Sequence, residues 1–430
     1  MKVKKRDGRI VDFNEQKIIR AILSAFESVD GEVTQYAVDK AYNIASYVSG
    51  YFEEDETNPT PGIEEIQDII EKGLMATKRK DVAKAYILYR EERNKIRNKN
   101  SALMQSITEK IAASDVQNQN ANVDEHSFGG RMGEARNELM KDYALNYMVS
   151  PMAKENHLNN MVYIHDLDSY AVGMHNCLTI PFDDLLAKGF NTRQTDVRPA
   201  NSINTAFQLV AVIFQLQSLQ QFGGVSASHI DWTMVPYVRK SFRKHYVDGL
   251  HYIEGISKNV IDNIVNEVWI DAKDMPIEDG AYDMYPKARQ YALDLTEKEL
   301  MQAVEGMYHN LNTLQSRSGN QLPFTSINYG TCTLPEGRMV TKALLEGSIK
   351  GVGKIKKTAI FPCGIFQCMK GVNRKPGDPN YDLFRLALKS TAQRLYPNYV
   401  NVDWSVNVGY DINDPKTYVS TMGKCKLQLI

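Results

Sequence analysis

Most of this chain alternates between short apolar segments and longer segments with helical periodicity. From about Phe128 onward, apolar runs such as "MVYIH" and "KTAIFP" are separated by helical patterns, for example Asn204 to Gln221 and Thr341 to Gly351. Such alternation is typical of α/β domains, in which functional residues lie on loops at strand ends. We therefore predict an α/β fold in which "MVYIH" is a strand that ends at His165.

The first hundred residues predict a separate, small α+β domain. Asp7-Gly8 in "KVKKRDGRIVDF" favours a tight hairpin turn between two short strands. Asn14 is the expected N-cap of the first helix, and Thr60 with Pro61 the expected cap and first turn of the third. Three helices have apolar residues at the spacing of an amphipathic helix. These are Ile18, Ile22, Phe26 and Val29, then Val38, Ala41, Ala45 and Val48, then Ile63, Ile66, Ile70 and Leu74.

Between these two regions the sequence becomes polar and loses its period. Ser114 to Asp124 reads "SDVQNQNANVD", which predicts a linker or an ordered surface loop. We therefore predict three parts: a domain over residues 1–95, a connecting helix and linker over 96–127, and the larger domain over 128–430.

Charge and cysteine usage narrow the classes of partner and compartment. The chain has 51 basic and 52 acidic residues, so no overall field favours nucleic acid or an anionic membrane. Its five cysteines are irregularly spaced, which fits a reducing compartment better than a disulfide framework. The start lacks the apolar stretch of a signal peptide, and "AFQLVAVIFQL" is short enough to be a buried helix. We predict a cytoplasmic protein.

Two stretches combine residues that can carry chemistry, although each has a simpler interpretation. The basic hairpin "KKRDG" can contact a triphosphate, but a motif this short is more often a solvated turn. The segment "VYIHDLDSYAVGMHNC" contains His165 and Cys177, yet a lone cysteine is usually a small apolar core residue. Four residues there, His165, Asp166, Asp168 and His175, could bind a metal, but their spacing matches no zinc or calcium pattern.

The first stretch gains weight from its neighbours. A basic hairpin followed by helices containing "IEEIQDIIEKGL" and "AKAYILYREER" resembles the ATP-cone, the regulatory nucleotide-binding domain of ribonucleotide reductases. The resemblance covers residues 1 to about 95 and implies binding of ATP or dATP as allosteric effectors. At position 67 this chain has glutamine where a related cone has histidine. The residues implied to line the pocket are Val3, Lys4, Lys5, Arg6, Asp7, Gly8, Asn14, Lys17 and Gln67.

The larger domain resembles the catalytic domain of anaerobic, class III ribonucleoside-triphosphate reductases. The resemblance rests on motifs in one order over about three hundred residues. These are "NANVDEHSFGGRMGEA", "VYIHDLDSY", "MHNCLTIPFDDLLAKGF", "NSINTAFQLVAVIFQLQSLQQFGGVSASHID", "SRSGNQLPFTSINYGT" and "KPGDPNYDLFRLALKSTAQRLYPNYVN". It implies a ten-stranded α/β barrel of the glycyl-radical type, of which this chain contains the first part.

The resemblance also implies a radical reaction and the residues that carry it. A stored glycyl radical oxidises one cysteine to a thiyl, which abstracts the ribose 3′-hydrogen, while a second cysteine returns hydrogen from the other face. Cys177 matches the second cysteine, and His165 is a further catalytic candidate. The substrate is expected around "SRSGNQLPF", with Ser318 and Asn320 as contacts and Arg317 as an additional candidate. No metal ligands are assigned within this chain.

Further expectations concern partners. The family uses formate as reductant and a radical-SAM enzyme as activator. It forms homodimers, with the helix near Gln208 to Gln221 expected at the interface, where a specificity effector binds. Neither a membrane nor a nucleic acid is expected as a partner.

The end of the chain departs from the family pattern. That pattern expects Met-Gly-Cys-Arg at the thiyl loop, whereas this chain has Met422-Gly423-Lys424-Cys425 and then "KLQLI". Cys425 is thus either the thiyl cysteine displaced by one position or part of an unrelated tail, and we favour the tail. The four-cysteine zinc site and the radical glycine would lie in a missing C-terminal part. We therefore expect an incomplete fragment that is inactive alone and pairs with a complementary C-terminal fragment.

Two other functions remain open. The chain could be a non-catalytic, nucleotide-binding regulatory fragment, or the product of an interrupted gene. A different glycyl-radical enzyme, such as an acyltransferase, is disfavoured by the cone and by "HDLD".

Overall fold

The computed structural model describes most of the chain in two compact units. The units are Met1–Ser106 and Ile107–Ile430. None of the described helices is long and apolar enough to cross a membrane. The described residues are 2–5, 9–53, 58–99, 102–112, 127–173, 177–221, 223–265, 275–316 and 321–418. The predicted turn at Asp7-Gly8 and most of the predicted linker lie outside these ranges.

The first unit is a two-stranded hairpin packed with four helices. The strands are antiparallel and pair Val3 with Val11. The elements are β1 (Lys2–Lys4), β2 (Ile10–Asp12), α1 (Glu15–Asp30), α2 (Gln35–Glu53), α3 (Ile63–Ala76) and α4 (Lys80–Lys99). Ile22, Phe26 and Leu74 are fully buried in its core, as their helical spacing predicts. This confirms the α+β interpretation of the N-terminal region.

Two details of these helices differ from the sequence prediction. Val29 is 39% exposed, because it lies in the last turn of α1, beyond the buried face. Helix α3 begins at Ile63 with Gly62 as N-cap, so Thr60 and Pro61 precede the helix. The Glu65 carboxylate accepts a hydrogen bond from the Gly62 N–H at 2.7 Å, which fixes the helix start there.

Arg90 holds α4 against α3. Its guanidinium contacts Glu64 at 2.6 Å and both Asp68 and Glu71 at 2.7 Å. A planar guanidinium can bond several carboxylates at once, so one α4 side chain fixes one face of α3.

The second unit is built on one parallel sheet, which confirms the α/β prediction. Its strand order is β3-β6-β7-β8-β9, and every neighbouring pair is parallel. The strands are β3 (Leu178–Thr179), β6 (Val225–Ala227), β7 (Thr325–Tyr329), β8 (Cys363–Cys368) and β9 (Asn398–Asn401), with a separate antiparallel pair, β4 (Phe190–Asn191) and β5 (Asp196–Val197).

Helices precede these strands and connect them. They are α5 (Ala102–Ala112), which contains the division between the units, α6 (Phe128–Tyr143), α7 (Pro151–Leu158), α8 (Leu167–Tyr170), α9 (Phe182–Lys188), α10 (Ile203–Ser218), α11 (Ile230–Thr233), α12 (Val235–Tyr252), α13 (Lys258–Asn263), α14 (Pro286–Thr313), α15 (Pro335–Lys350) and α16 (Tyr381–Arg394). A π-helical turn covers Ala144–Met148, and 3₁₀ helices cover Gly280–Met284, Val402–Val408 and Pro415–Thr417.

The main core lies between the sheet and its helices. Phe207 and Phe214 of α10 are fully buried there together with Ile327 of β7 and Phe366 of β8. The apolar segment "AFQLVAVIFQL" is therefore a buried helix, as predicted.

The predicted strand at "MVYIH" is wrong, and the apolar run "KTAIFP" lies just before a strand. "MVYIH" forms no strand, and Met161 and Tyr163 are 75% and 79% exposed. An apolar run becomes a strand only when a partner satisfies its backbone, and this run pairs with no strand of the described ranges. "KTAIFP" precedes β8, which begins at Cys363, because Pro362 has no N–H to donate to the sheet.

Candidate functional site

The hairpin, α1 and α3 of the first unit surround a pocket of about 210 Å³. Its polar lining residues are Lys5, Asp12, Asn14, Lys17 and Gln67. Its apolar lining residues are Val3, Val11, Phe13, Ile18, Ala21, Ile63, Ile66, Ile70 and Tyr86. Two lysines beside an apolar wall suit a ligand with an anionic end and a flat, apolar ring.

Five of the nine residues expected at the nucleotide site line this pocket. They are Val3, Lys5, Asn14, Lys17 and Gln67. Asn14 is the N-cap of α1, as predicted, but its side chain makes no capping hydrogen bond. Arg6, Asp7 and Gly8 lie outside the described residues.

Lys4 does not line the pocket. Its neighbours Val3 and Lys5 do, because successive side chains of a strand point to opposite faces. Lys4 is exposed, and its backbone N–H donates to the carbonyl of Pro61 at 3.0 Å.

Sequence analysis missed Val11, Phe13 and Tyr86 as pocket residues. Val11 and Phe13 could have been predicted as pocket residues from the hairpin itself. Val11 pairs directly with Val3, and cross-strand partners share a face. Tyr86 reaches the pocket from α4, and nothing in its local sequence indicates this contact.

In the second unit, Cys177 stands immediately before β3, at the amino end of the sheet. The Gly224 N–H donates to Cys177 Sγ at 3.3 Å, and the Gly224 carbonyl accepts from the Leu178 N–H at 3.1 Å. Gly224 stands immediately before β6, the strand that pairs with β3. One residue at the start of the neighbouring strand, Gly224, therefore contacts both the sulfur and the backbone that follows it.

Alternation along the strands places several polar side chains on one face of the sheet. The pairing register groups Thr179 with Ser226, Ser326, Asn328 and Gln367. Of these, the last four are fully buried. Asn328 donates to Ser226 Oγ at 3.1 Å and to the Ala227 carbonyl at 2.9 Å.

Gln367 adds an acceptor to this face. Its Nε2 donates to the Ser228 carbonyl at 3.0 Å. Its Oε1 is buried and has no hydrogen-bond partner among the described residues. Sequence analysis missed these polar residues, although the period of two in "VSAS" and "TSINY" indicates one polar face.

At the carboxyl end of the sheet, Asp231 is a fully buried carboxyl group. Its side chain accepts from the N–H groups of Gly330 at 2.8 Å, Cys332 at 3.0 Å and Trp232 at 3.1 Å. Burial raises the pKa of Asp231, although these N–H groups oppose the shift. These bonds join the start of α11 to the loop after β7.

Two further described cysteines, Cys332 and Cys368, have thiols with raised pKa values. Burial, with the nearby Asp231, raises the pKa of Cys332 well above its ordinary value. Burial also raises the pKa of Cys368. A raised pKa favours the S–H form of these two groups over the thiolate.

His165 lies at the surface. Its side chain is 75% exposed, and Nδ1 contacts Asp166 Oδ2 at 2.5 Å. Asp166 has a left-handed backbone, with φ of 57°. Three other expected site residues, Ser318, Asn320 and Cys425, lie outside the described residues, as do Arg317 and His175. Within the described ranges, no group of three or more His, Cys, Asp or Glu side chains is arranged to hold a metal ion.

Comparison with known proteins identifies relatives along both units. The family model described as "Anaerobic ribonucleoside-triphosphate reductase" matches residues 119–430, and the ATP cone domain matches residues 1–95. The anaerobic ribonucleoside-triphosphate reductase of Haemophilus influenzae is 31% identical over 97% of this chain and 54% of its own length. The Escherichia coli protein of the same name is 30% identical over 98% of this chain and 54% of its length. The chain thus spans about half the length of these relatives.

Among solved structures, similarity is found to the anaerobic ribonucleotide reductase from Thermotoga maritima with dATP bound in the specificity site. The TM-score is 0.43 and the identity 14%, over 70% of this chain and 48% of that chain.

Proposed function

Because this chain belongs to the anaerobic ribonucleoside-triphosphate reductase family, we propose that it takes part in reducing ribonucleoside triphosphates to deoxyribonucleoside triphosphates. The observation that carries the proposal is the position of Cys177. It stands at the amino end of a parallel sheet, one face of which bears the buried polar side chains of Ser326, Asn328 and Gln367, and its Sγ accepts a hydrogen bond from the Gly224 N–H.

In this reaction a glycyl radical converts a cysteine to a thiyl, which removes the 3′-hydrogen of the ribose. The 2′-hydroxyl would then leave with a proton as water, Cys177 would donate a hydrogen atom to C2′, and the first cysteine would return the abstracted hydrogen to C3′ once the oxidised sugar and Cys177 have been reduced. The weak, polarizable S–H bond of Cys177 suits its donation step. Two electrons come overall from formate, which is oxidised to carbon dioxide. The buried sheet face excludes water from the reacting centre.

The first unit is proposed to sense ATP and dATP. We assign the nucleotide-binding domain to residues 1–95 and the catalytic part to residues 128–430. Lys5 and Lys17 would bind phosphate oxygens, since ammonium groups form strong charge-assisted hydrogen bonds with phosphate. Ile18 and Ile66 would contact the base.

Other components of the reaction are also part of the proposal. We expect a radical-SAM activating enzyme, a homodimer, and a cytoplasmic location. A radical glycine and a zinc site would belong to polypeptide equivalent to the part of the relatives that this chain does not match.

A second candidate function is nucleotide-dependent regulation without catalysis. The pocket in the first unit favours it, because five expected contact residues already surround that pocket. Both candidates require nucleotide binding there, and only the first requires the thiol of Cys177.

Calorimetry on the whole chain tests the nucleotide pocket. Replacing both Lys5 and Lys17 by alanine should weaken ATP binding by about 2–4 kcal/mol, because each loses a charge-assisted contact. Lys4→Ala is the matched control, since Lys4 has the same charge on the opposite face of the same strand. Equal affinities of the double variant and the unaltered protein would remove these lysines from the site.

Complementation tests the reductase function. The chain would be combined anaerobically with the unmatched C-terminal part of the Escherichia coli relative, the activating enzyme, formate and a ribonucleoside triphosphate. Cys177→Ser should abolish deoxyribonucleotide formation, whereas Cys368→Ser, at another half-buried cysteine, should preserve it. Product formation by the Cys177→Ser protein would refute the proposed role.

A further inference from the structure

A buried glutamine connects the end of α10 to the segment before β6. Gln221 is 3% exposed. Its Nε2 donates to the carbonyl groups of Gly224 at 2.9 Å and Gly223 at 3.2 Å, and its Oε1 accepts from Gln217 Nε2 at 2.8 Å. Gln217 belongs to α10, which ends at Ser218. The side chain of Gln221 therefore joins this helix end to two successive carbonyl groups of the neighbouring backbone.

The hydrogen bonds fix which way the amide of Gln221 points. An amide group presents an acceptor oxygen on one side and an NH₂ donor on the other. Here the oxygen faces the donor of Gln217, and the nitrogen faces two carbonyl oxygens. The opposite orientation would place oxygen against oxygen at both carbonyls. Gln217 therefore selects the orientation in which Gln221 can hold the backbone.

The two carbonyl groups belong to the peptide groups on either side of Gly224. The carbonyl of Gly223 shares its peptide group with the Gly224 N–H, which donates to Cys177 Sγ at 3.3 Å. The carbonyl of Gly224 also accepts from the Leu178 N–H at 3.1 Å. A peptide group is planar, so a restraint on its carbonyl oxygen also sets the direction of its N–H. Gln221 thus acts on the sulfur through one rigid group.

This segment has little rigidity of its own. Gly223 and Gly224 are adjacent glycines, and a glycine backbone adopts more conformations than that of any other residue. A restraint from outside the segment is therefore needed to keep the Gly224 N–H directed at the sulfur, and the amide of Gln221 supplies one.

The bond to the sulfur suits a group that donates hydrogen. The Gly224 N–H uses a lone pair of Cys177 Sγ and not its hydrogen. The S–H hydrogen is the atom that the proposed reaction transfers. A donor that restrains the sulfur through a lone pair can hold it in place both before and after that hydrogen has left.

We propose that Gln221 is a positioning residue for Cys177. Through the peptide group that Gly223 and Gly224 share, it holds the sulfur where its hydrogen can reach the substrate. Gln217 orients Gln221 for this role. The link to hydrogen transfer rests on the proposed function, whereas the restraint of the sulfur does not.

Gln221→Glu tests the restraint, because it keeps the shape of the side chain and replaces the NH₂ donor by a carboxyl oxygen. An ionised carboxylate would repel both carbonyl oxygens, whereas a protonated carboxyl group could still donate one hydrogen bond. Gln220→Glu is the matched control, since Gln220 is an exposed glutamine one position earlier. Both variants make the same chemical change in the same segment.

Hydrogen–deuterium exchange of the Gly224 N–H, localised by mass spectrometry, measures the hold on the peptide group. Gln221→Glu should accelerate this exchange about 3- to 10-fold, as expected for one lost hydrogen bond. The acceleration relative to the unaltered protein should shrink between about pH 8 and about pH 5, because burial favours the protonated, donating form of a carboxyl group. A defect in packing alone would not follow this pH profile. An unchanged exchange rate in the Gln221→Glu protein would overturn the proposal.

Gln217→Ala tests the orienting role. It should accelerate the same exchange, and the double variant with Gln221→Glu should exchange no faster than Gln221→Glu alone, because Gln217 acts through Gln221. Independent effects that multiply in the double variant would overturn the assignment of Gln217.

Labelling with iodoacetamide reports on the sulfur itself. At about pH 9.5 ordinary thiols are mostly ionised, so the labelling rate depends mainly on access to the sulfur. Gln221→Glu should speed the labelling of Cys177 about 3- to 10-fold, because the lost restraint lets its side chain move. Cys368 is the internal reference and should keep its rate. Equal rates at Cys177 in the variant and the unaltered protein would overturn the proposal.

The complementation assay tests the link to hydrogen transfer. At about pH 8, Gln221→Glu should lower kcat about 10-fold and leave KM unchanged, because the peptide group that it disturbs holds the hydrogen donor. An unchanged kcat together with faster labelling would separate the restraint from the reaction and overturn that link. Absence of product from the unaltered protein would count against the proposed function, while exchange and labelling would still decide whether Gln221 restrains Cys177.

Discussion

Replacing Gly224 by alanine should disturb the position of Cys177 through a steric conflict with Phe324. A Cβ at position 224 would lie 2.8 Å from Phe324 Cδ1 and 3.3 Å from Cε1. Carbon atoms pack at about 3.5–4.0 Å, so the ring would have to withdraw by about 0.7–1.2 Å.

The ring has little room to withdraw. Phe324 is 7% exposed, and its ring packs edge-to-face against Phe361 at a centroid distance of 4.9 Å. Overpacking of a filled core costs about 1–3 kcal/mol, and we expect Gly224→Ala to lower the free energy of unfolding by that amount. The shift should also lengthen the contact between the Gly224 N–H and Cys177 Sγ, and so change the alkylation rate of Cys177.

Urea unfolding followed by tryptophan fluorescence measures the effect in the relevant unit. All three tryptophans of the chain, Trp232, Trp269 and Trp404, belong to the unit Ile107–Ile430. Gly306→Ala is the control, because Gly306 lies within α14 and its added Cβ would meet nothing within 4 Å. That variant should gain about 0.5–1 kcal/mol from the better helix propensity of alanine.

A double-mutant cycle with Phe324→Leu separates the steric conflict from other causes. If the ring is the obstacle, the double variant should lose less stability than the sum of the single variants, with a coupling of about 1 kcal/mol or more. An unchanged stability of Gly224→Ala, with Gly306→Ala responding as expected, would refute the reasoning. Additive losses would assign the cost to something other than Phe324.

Three further predictions concern stability. Burial acts to raise the pKa of Glu299, but its hydrogen bond to His245 at 2.8 Å outweighs this and lowers the pKa from 4.5. A lowered carboxyl pKa stabilises the folded state above pH 4.5, and this stabilisation is lost as the pH falls through the folded-state pKa. His245→Gln should therefore flatten the acid side of a stability–pH profile, and an unchanged profile would contradict the pairing. Asp231→Asn should cost about 1–3 kcal/mol in urea unfolding, because either amide orientation turns a donor toward a backbone N–H. Ile22→Ala should cost about 2–5 kcal/mol in an unfolding transition of the first unit followed by circular dichroism, since Ile22 is fully buried there.

Helical periodicity predicted more of this fold than strand patterns did. The spacing of apolar residues three and four apart predicted the buried faces of α1 and α3 and the existence of α10. This works because residues on one face of a helix recur within a short stretch of sequence. The strand at "MVYIH" was wrong, since strand formation depends on a partner that may be distant in sequence. β3 is two residues long, which is too short for any period.

The two pockets also differed in how much of their lining could be predicted from sequence. The hairpin pocket was predicted in part, because the resemblance to the ATP-cone implied Val3, Lys5, Asn14 and Lys17 as its lining. Arg136 and Asp168 line a second pocket, of about 280 Å³; they are separated by 32 positions along the chain, and the packing of α6 with α8 brings them together. No local pattern in either segment indicates the other.

The shortness of β3 has a consequence for the thiol. A strand of two residues forms few ladder hydrogen bonds, so the backbone around Cys177 depends mainly on the adjoining segment before β6. That segment acts through the N–H and carbonyl of Gly224, and Gln221 in turn bonds the Gly224 carbonyl. Gln221 also bonds the carbonyl of Gly223, which belongs to the same peptide group as the Gly224 N–H. Gln221 therefore holds both peptide groups of Gly224, and through them the backbone on which the position of the sulfur depends.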